Sequence, residues 1–246
     1  DYSKSRRNFS PRFRLSGALR IVRRLFLPLF FGITGTAILL WLGTWQVQRL
    51  EWKEGVLAEI NARIGDAPVS LPISPNEDDD QYLPVTMTGE TGAEELHVLA
   101  SSKQTGAIYR VVTAFETANG RRVLLDRGWV KPAVKDLARP TAETTIIGNL
   151  LWPDERDSYT PENDVTGNIW FARDLDQMAA VLNTEALLVV QRDSDETSSE
   201  ITPMPVTTTG IPNDHLQYAV TWFGLALVWV VMTLYYLRRM RTREKV

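Results

Sequence analysis

Two long runs of uncharged, mostly apolar residues constrain the fold of this chain more than any other feature. They cover residues 25–45 and 216–237, which is 21 and 22 residues without Asp, Glu, Lys or Arg. At a helical rise of about 1.5 Å per residue, each run would be about 30 Å long, the thickness of a hydrocarbon core. A buried helix of a soluble protein is rarely so long and so free of charge. We therefore predict two transmembrane helices with one domain, residues 46–215, between them.

The charged residues are distributed unevenly around these runs. Residues 1–24 contain eight Lys or Arg and one acidic residue, and residues 238–246 contain five Lys or Arg and one acidic residue. Residues 46–215 contain 14 basic and 28 acidic residues, a net charge of −14. Basic residues close to a span stay on the cytoplasmic or matrix side. The pattern predicts that both terminal segments lie on that side and that the acidic domain lies across the membrane.

The basic segment 1–24 has other interpretations. A nucleic-acid-binding arm is disfavoured because the segment directly precedes a span, where attraction to anionic lipid explains its charge. Ser5-Arg6-Arg7-Asn8-Phe9 weakly resembles a twin-arginine signal, but the apolar run does not end in an A-x-A cleavage pattern. We predict that the first span is retained. The Arg- and Ser-rich composition is also typical of a mitochondrial transit peptide, and that alternative stays open.

The scarcity of Cys and His excludes many enzyme classes. The chain has no Cys and only two His, His97 and His215. Disulfides, zinc–thiolate sites, copper transfer through a Cys pair and sites with several His are therefore excluded. Neither a GxxxxGK[ST] nor a GxGxxG motif occurs. A Ser–His–Asp arrangement would need His97, which the alternation of its strand places on the solvent face. We expect a protein without enzymatic activity.

Short β-rich segments separated by turn residues fill the domain between the spans. The predicted strands cover residues 83–88, 95–100, 107–115, 122–130, 144–151 and 186–191. Asn119-Gly120 predicts a tight hairpin turn, and Asp174 can cap a short helix over residues 175–182. Residues 192–201 are expected to form a polar loop. The predicted fold class is α+β, in which two transmembrane helices flank one mostly antiparallel β-sheet or small barrel-like domain with few helices.

The first span has features that extend beyond its membrane segment. Leu50, Leu57 and Ile64 recur every seven residues, which predicts an amphipathic continuation of the helix past Trp45. Pro28 is expected in the first turn, where its missing N–H costs little. Small residues within the span allow another helix to approach closely. They are Gly32, Gly35, Thr36 and Gly43.

His215 directly precedes the second span, on the side of the membrane predicted for the acidic domain. On a helix, His215, Tyr218, Ala219 and Trp222 share one face. An imidazole beside aromatic rings could ligate the iron of a porphyrin lying in the outer leaflet. Alternatively, it could be an interfacial His among belt aromatics, hydrogen-bonded near a helix start. The residues alone favour the second interpretation.

The segment Asp126-Arg127-Gly128-Trp129-Val130 combines unusual residues in a predicted strand. Strict alternation would place Asp126 and Gly128 on one face, and Arg127 and Trp129 on the other. An Arg beside a Trp can serve a buried ion pair, a cation–π contact or a partner surface. The structural roles are favoured over the partner surface.

Four patches together resemble the Surfeit locus protein one family. The first is Gly43-Thr44-Trp45-Gln46-Val47-Gln48-Arg49. The second is 126–130, which resembles the family's N-R-G-[WF]-V with Asp126 in place of Asn. The third runs from Pro161-Glu162-Asn163 through Trp170 and Arg173-Asp174 to Met178-Ala179. The fourth, Asn213 to Trp222, resembles the N-x-H-L-Q-Y-x-x-T-W that opens the family's second span. Residues 107–110 depart from the family's pattern near the second patch.

The resemblance implies a non-enzymatic assembly factor for cytochrome c oxidase that holds haem a for the catalytic subunit. It implies His215 as the haem-iron ligand, with Tyr218 and Trp222 as haem-binding neighbours. The implied partners are cytochrome c oxidase subunit I, other assembly factors and membrane lipid. Six further residues are expected to have partner-binding or structural roles: Trp45, Gln46, Arg49, Arg127, Gly128 and Trp129.

Location and role each keep an alternative. The loop near Gln104 lacks the longer insert of mitochondrial members of the family, so the resemblance favours the bacterial inner membrane over the mitochondrial inner membrane. A scaffold that steadies an oxidase subunit without touching haem is the alternative function. A two-span sensor is disfavoured, because residues 238–246 are too few to form an output module.

Overall fold

Two groups of residues form separate compact units in the computed structural model. One unit is Leu57–Gly210, and the other combines the described residues up to Val56 with those from Ile211 onward. The structure describes residues 15–102, 105–196 and 200–243. The start of the basic segment 1–24, the loop at Gln104 and the end of the basic tail lie outside these ranges.

The two long helices are α1, Leu15–Gly65, and α4, His215–Arg243. Each contains a stretch that is long and apolar enough to cross a membrane, within Leu25–Gly65 and His215–Thr242. Only 6% of the apolar window of each helix is buried. A core helix of a soluble protein would bury such a window, so the exposed apolar surface is compatible with helices that cross a membrane.

Helix α1 is longer than its apolar run at both ends. Its continuation past Trp45 is confirmed, since the helix runs on to Gly65. The expected position of Pro28 in the first turn is wrong, because the helix begins at Leu15 and Pro28 lies inside it. Proline in a helix interior removes one i→i−4 hydrogen bond and favours a kink.

Helices α1 and α4 pack through the small residues of the first span. A Cβ atom added to Gly35 would lie 2.5 Å from the indole Nε1 of Trp229, and one added to Gly43 would lie 2.7 Å from the ring of Phe223. Trp229 Nε1 also donates a hydrogen bond to the carbonyl of Gly32 at 3.2 Å. The predicted close approach of another helix is confirmed, and that helix is α4 of the same chain.

Six strands form one sheet that closes on itself. Its order is β1-β2-β3-β4-β6-β5, and β5 pairs again with β2. The β4–β6 and β1–β2 pairs are parallel and the other four are antiparallel. The predicted α+β class, with a mostly antiparallel and barrel-like domain, is confirmed. The strands are β1 (Val69–Ser70), β2 (Pro84–Ser102), β3 (Gly106–Thr117), β4 (Arg122–Val130), β5 (Glu143–Leu151) and β6 (Leu188–Ser194).

Two strand predictions need correction. The strands predicted at 83–88 and 95–100 are parts of one strand, β2, whose register with β3 shifts between Thr91 and Glu95. The N-terminal part of β2 pairs with β5 and its C-terminal part pairs with β3. One long strand shared by two neighbours thus closes the barrel. The last strand begins at Leu188 and continues to Ser194, so residues 192–194 are not loop.

The hairpin and the helix over residues 175–182 occur where the sequence predicts them, whereas the acidic run 77–80, predicted to be a solvated loop, forms a short helix. Asn119-Gly120 joins β3 to β4, with Gly120 at φ +79°. The side chain of Asp174 caps α3 (Leu175–Leu182) by accepting a hydrogen bond from the backbone N–H of Gln177. A further short helix, α2, spans Glu77–Asp80.

The strand side chains form apolar clusters on both faces of the sheet. Leu124 packs with Trp170 and with Met178 of α3, whereas the next residue, Leu125, packs in a cluster with Phe115 and Val189. Consecutive residues of β4 therefore support opposite faces of the closed sheet.

Candidate functional site

His215 is held by a residue of the other long helix. Its Nδ1 lies 2.8 Å from Oε1 of Gln46, which is only 8% exposed. With the amide oxygen of Gln46 facing the ring, the imidazole Nδ1–H would be the donor, because an amide oxygen can only accept. In the neutral imidazole this bond places the proton on Nδ1 and leaves the lone pair on Nε2. Within the described residues, Nε2 of His215 has no hydrogen-bond partner.

Tyr218, Ala219 and Trp222 follow His215 at helical spacing on α4. Tyr218 is 55% exposed, Trp222 is half-buried, and Ala219 is buried. Across residues 15–102, 105–196 and 200–243, no group of three or more His, Cys, Asp or Glu is placed to hold a metal ion. A metal at His215 would therefore have one protein ligand among these residues. An imidazole with a free Nε2 beside aromatic rings fits the axial ligand of an iron porphyrin.

The other two residues singled out in the first patch lie on exposed surface of α1. Trp45 is 45% exposed. The guanidinium carbon of Arg49 lies 4.2 Å from the ring centre of Trp52, a cation–π contact. Of this patch, the structure brings Gln46 to His215, whereas Trp45 and Arg49 present their side chains to the surroundings.

Asp126 is the centre of a buried ionic network in the barrel. It is fully buried, and its Oδ2 accepts hydrogen bonds from Nε of Arg110 at 2.7 Å and Nη1 of Arg173 at 3.1 Å. Arg173 also pairs with Glu155. Burial by itself lowers the pKa of Arg173, but Glu155 and Asp126 together hold that pKa above its ordinary value. Burial raises the pKa of Glu155, and the hydrogen bond and charge of Arg173 reverse this, so the net pKa is lowered.

A β-bulge breaks the predicted placement of Asp126 and Gly128 on one face of β4. Val111 pairs with Gly128 and Val112 pairs with Asp126, which leaves Arg127 as the extra residue of β4. Both Asp126 and Arg127 are buried, at 0% and 3% exposure, because both faces of the sheet are covered. A bulge redirects the side chains that follow it, and residue types alone did not reveal it.

Arg127 forms the buried ion pairs that its position beside Trp129 suggested. Its Nη2 lies 2.8 Å from both carboxylate oxygens of Glu196, and its Nη1 lies 3.5 Å from Glu95. Glu95 in turn accepts from Nη1 of Arg139 at 2.6 Å. The structure thus assigns Arg127 a role inside the domain.

The expected solvent exposure of His97 is wrong. His97 is 5% exposed, and its Nε2 lies 3.5 Å from Glu95 in the same ionic cluster. The reason is a second segment that covers this part of β2. The N–H of Trp170 donates to the carbonyl of His97, and the N–H of Leu99 donates to the carbonyl of Trp170. Strand alternation cannot anticipate a covering segment that follows some 70 residues later.

Gly128 allows the chain returning from the barrel to pack on β4. Gly128 has φ +123°, and a Cβ atom there would collide with the carbonyl of Thr202 and lie 2.8 Å from Cα of Pro203. Residues 201–204, here called the return segment, pair with β4 through two 2.9 Å hydrogen bonds between Trp129 and Thr202. Trp129 itself is half-buried.

The third patch consists of residues that fix loops of the barrel. The side-chain oxygen of Asn163 accepts from the N–H of Phe171 at 2.8 Å, and its amide nitrogen donates to Gln177 of α3 at 2.8 Å. Trp170 is fully buried. Next to this patch is an open cleft of about 630 Å³ with Glu77, Asp154, Asp174 and Asp176 among its lining residues. Arg156 and Arg173 also line the cleft, so its charged lining is mixed, with more acidic than basic residues.

Sequence reasoning missed the acidic partners of the buried arginines. Glu95, Glu155 and Glu196 are distant in sequence from the residues they pair with, and each looked like one more surface acid in a domain of net charge −14. The sequence did offer a clue for Glu95, which lies in a strand close to the apolar residues Leu96 and Val98. A carboxylate buried there without a cationic partner would be costly, so a buried partner could have been expected.

Comparison with known proteins identifies the family. The sequence profile of the SURF1 family matches residues 34–227, most of the chain. The chain belongs to the SURF1 family. The matched region contains all four patches, including Gln46 and His215.

Vertebrate and bacterial members of the SURF1 family resemble this chain over most of its length. Surfeit locus protein 1 of Xenopus tropicalis is 34% identical over 212 residues, which cover 75% of this chain and 67% of that protein. The human protein of the same name is 32% identical over 213 residues, covering 75% and 69%. The SURF1-like protein of Rickettsia felis is 31% identical over 213 residues, covering 82% and 92%.

Proposed function

We propose that this SURF1-family protein is a non-enzymatic assembly factor for haem-copper cytochrome c oxidase. It binds haem a through His215 and assists the insertion of haem a into the catalytic subunit. The observation that carries the proposal is the hydrogen bond from His215 Nδ1 to Gln46, which leaves Nε2 free as a ligand. Membership of the family supports the oxidase-assembly role.

Three residues of α4 have different proposed roles in binding the porphyrin. His215 would hold haem through Nε2, and the haem would supply an iron centre for that ligand. Tyr218 and Trp222 supply ring surface against the macrocycle, since both lie on the face of α4 that begins at His215. One protein ligand without a metal-binding cage suits a carrier, because the ligand must also be released.

Haem content tests the role of His215. We expect His215→Ala, purified from cells that make haem a, to lose the haem absorption bands of the parent protein. Val220→Ala, which changes an exposed apolar residue of the same helix, is the matched control and should keep them. A His215→Ala protein with unchanged haem content would favour the scaffold that steadies an oxidase subunit without touching haem.

The proposed location is a bacterial inner membrane, with both termini in the cytoplasm and the barrel in the periplasm. The basic segments 1–24 and 238–246 support this orientation. A reporter fused after Val246 should be reachable by a membrane-impermeant label only once the inner membrane is opened. Labelling of intact spheroplasts would contradict the orientation.

The proposed partners are oxidase subunit I and other assembly factors, which meet the acidic face of the barrel. The cleft beside Asp154, Asp174 and Asp176 supports a basic partner surface. Co-purification with the oxidase subunit should weaken as ionic strength rises, because exposed charges are screened beyond about 10 Å at 0.1 M salt. Co-purification that is the same at low and high salt would count against an electrostatic surface.

A further inference from the structure

We propose that Gln46 is a positioning residue for the haem ligand: it sets the tautomer of His215 and limits the strength of the bond from Nε2 to iron. The inference rests on the proposed role of His215 as that ligand. It extends that role to a residue of the other long helix, one that would not itself touch the haem.

The contact between Gln46 and His215 has the distance and burial of a specific side-chain hydrogen bond. The Nδ1···Oε1 distance of 2.8 Å lies within the ordinary range for a direct hydrogen bond. Gln46 is buried on α1, although glutamine is usually exposed. Within the described residues, His215 is its one hydrogen-bond partner. A buried amide whose side-chain contact is an imidazole is placed to orient that imidazole.

The packing of the two helices explains how the glutamine reaches His215. Gly43 lies one helical turn before Gln46, and its missing side chain lets α4 approach to contact at Phe223. Ala219, one turn after His215, is buried and equally small. Small residues on both helices next to the pair keep the backbones close enough for a direct hydrogen bond.

The chemical identity of the acceptor determines what the hydrogen bond does to the imidazole. A carboxylate facing Nδ1–H draws the proton toward itself and makes Nε2 a stronger donor to metal, as in carboxylate–histidine–metal arrangements. A neutral amide oxygen fixes the same tautomer with a smaller effect on basicity. Gln46 therefore makes His215 ready to ligate while keeping the bond to iron weak, as a protein that hands its haem onward requires.

The tautomer can be measured without haem. The chain contains two histidines, so ¹⁵N-histidine labelling gives two imidazole signals, and His97→Gln identifies that of His215. At a pH where the imidazole is neutral, we expect a protonated Nδ1 and an unprotonated Nε2 in the parent protein, and a mixture of tautomers in Gln46→Leu. A parent protein with the proton on Nε2 would overturn the inference, since Gln46 would then be the donor.

Haem binding provides the second readout, with Gln48→Leu as the matched control at an exposed glutamine of the same helix. Loss of such an outer hydrogen bond typically costs about 10–100-fold in metal affinity, which is the loss expected for Gln46→Leu. Gln46→Glu should bind haem at least as tightly as the parent and lower the midpoint potential of the iron. Gln48→Leu should change neither quantity.

The outcomes separate this inference from the proposed function. If His215→Ala abolishes haem binding while both Gln46 variants keep the parent affinity and potential, the role of Gln46 is refuted and that of His215 stands. If His215→Ala keeps its haem, the proposed function fails, and the tautomer measurement still reports on Gln46. If Gln46→Leu does not fold, the potential of Gln46→Glu decides, and an unshifted potential refutes the inference.

Discussion

Replacing Gly128 by alanine tests whether the return segment depends on a missing side chain. Gly128 combines two features that rarely coincide, a φ of +123° and backbone atoms of Thr202 and Pro203 where a Cβ atom would be. The change adds one methyl group and removes none. Any effect must therefore come from backbone strain, from displacement of residues 201–204, or from both.

The magnitude follows from these two effects. A non-glycine residue in a sparsely populated backbone region costs about 1–3 kcal/mol. Displacing the return segment breaks the two hydrogen bonds between Trp129 and Thr202, each worth about 0.5–1.5 kcal/mol. Together these effects lower the free energy of unfolding by about 4 kcal/mol. In a unit of this size, at about 2–4 °C per kcal/mol, the melting temperature should fall by about 8–16 °C.

Alanine variants at two other glycines separate the effect of backbone strain from that of steric collision. Gly120 has φ +79° and no atom within 4 Å of an added Cβ, so Gly120→Ala carries strain alone, about 1 kcal/mol. A Cβ atom at Gly89, which has no positive φ, would collide with the backbone carbonyl of Glu116, so Gly89→Ala carries collision alone. All three variants can be compared by thermal unfolding in detergent, followed by near-ultraviolet circular dichroism.

Hydrogen exchange locates the damage. In Gly128→Ala, the amides of Trp129 and Thr202 should exchange much faster than in the parent protein, because each is protected by the other's carbonyl. In Gly89→Ala these two amides should remain protected. If Gly128→Ala were no less stable than Gly120→Ala, or if the return segment kept its protection, close packing at Gly128 would not be what requires glycine.

Three further predictions concern the ion network and the helix pair. Glu155→Gln should have a lower free energy of unfolding than the parent protein at pH 7, and urea unfolding should show this difference shrinking below about pH 4.5. A carboxyl whose pKa is lowered in the folded state stabilises the fold only above its unfolded pKa of 4.5, and this stabilisation is lost as the pH falls. A difference that is the same at every pH would contradict this. Asp126→Asn should cost about 3 kcal/mol in the same assay, because two buried guanidinium groups lose their shared carboxylate, and an unchanged midpoint would contradict the network. Gly43→Val should weaken cysteine cross-linking between α1 and α4 and lower haem content, whereas Gly55→Val, with open space around it, should do neither; equal effects would contradict the close contact.

Local chemistry made a good part of this structure predictable from the sequence. Uncharged length located both long helices, the side-chain oxygen of Asp174 located the start of α3, and Asn119-Gly120 located the hairpin. Helical spacing also placed His215 and Trp222 on one face. Apart from the length of the uncharged runs, each of these inferences needs only residues within about seven positions of one another.

Features that depend on distant residues were not predictable in this way. The bulge at Arg127 is a register shift between β4 and β3, and residue types within β4 do not reveal it. His97 is buried by a segment more than 70 residues away, and Gln46 meets His215 across 169 positions. Periodicity describes the faces of one element and carries no information about which element covers each face.

The four patches that identify the SURF1 family serve two different physical purposes. Arg127, Gly128 and Asn163 bind other parts of the barrel, through a buried ion pair, a close backbone approach and a loop-fixing amide. Gln46 and His215, by contrast, bond to each other and leave one imidazole nitrogen free of any partner in the described chain. Side chains whose polar atoms all bond within the protein stabilise its fold. A metal or cofactor instead needs an oriented atom, such as Nε2 of His215, whose lone pair is not used within the protein. The proposed haem site therefore lies on the two long helices, whereas these residues of the barrel maintain the fold.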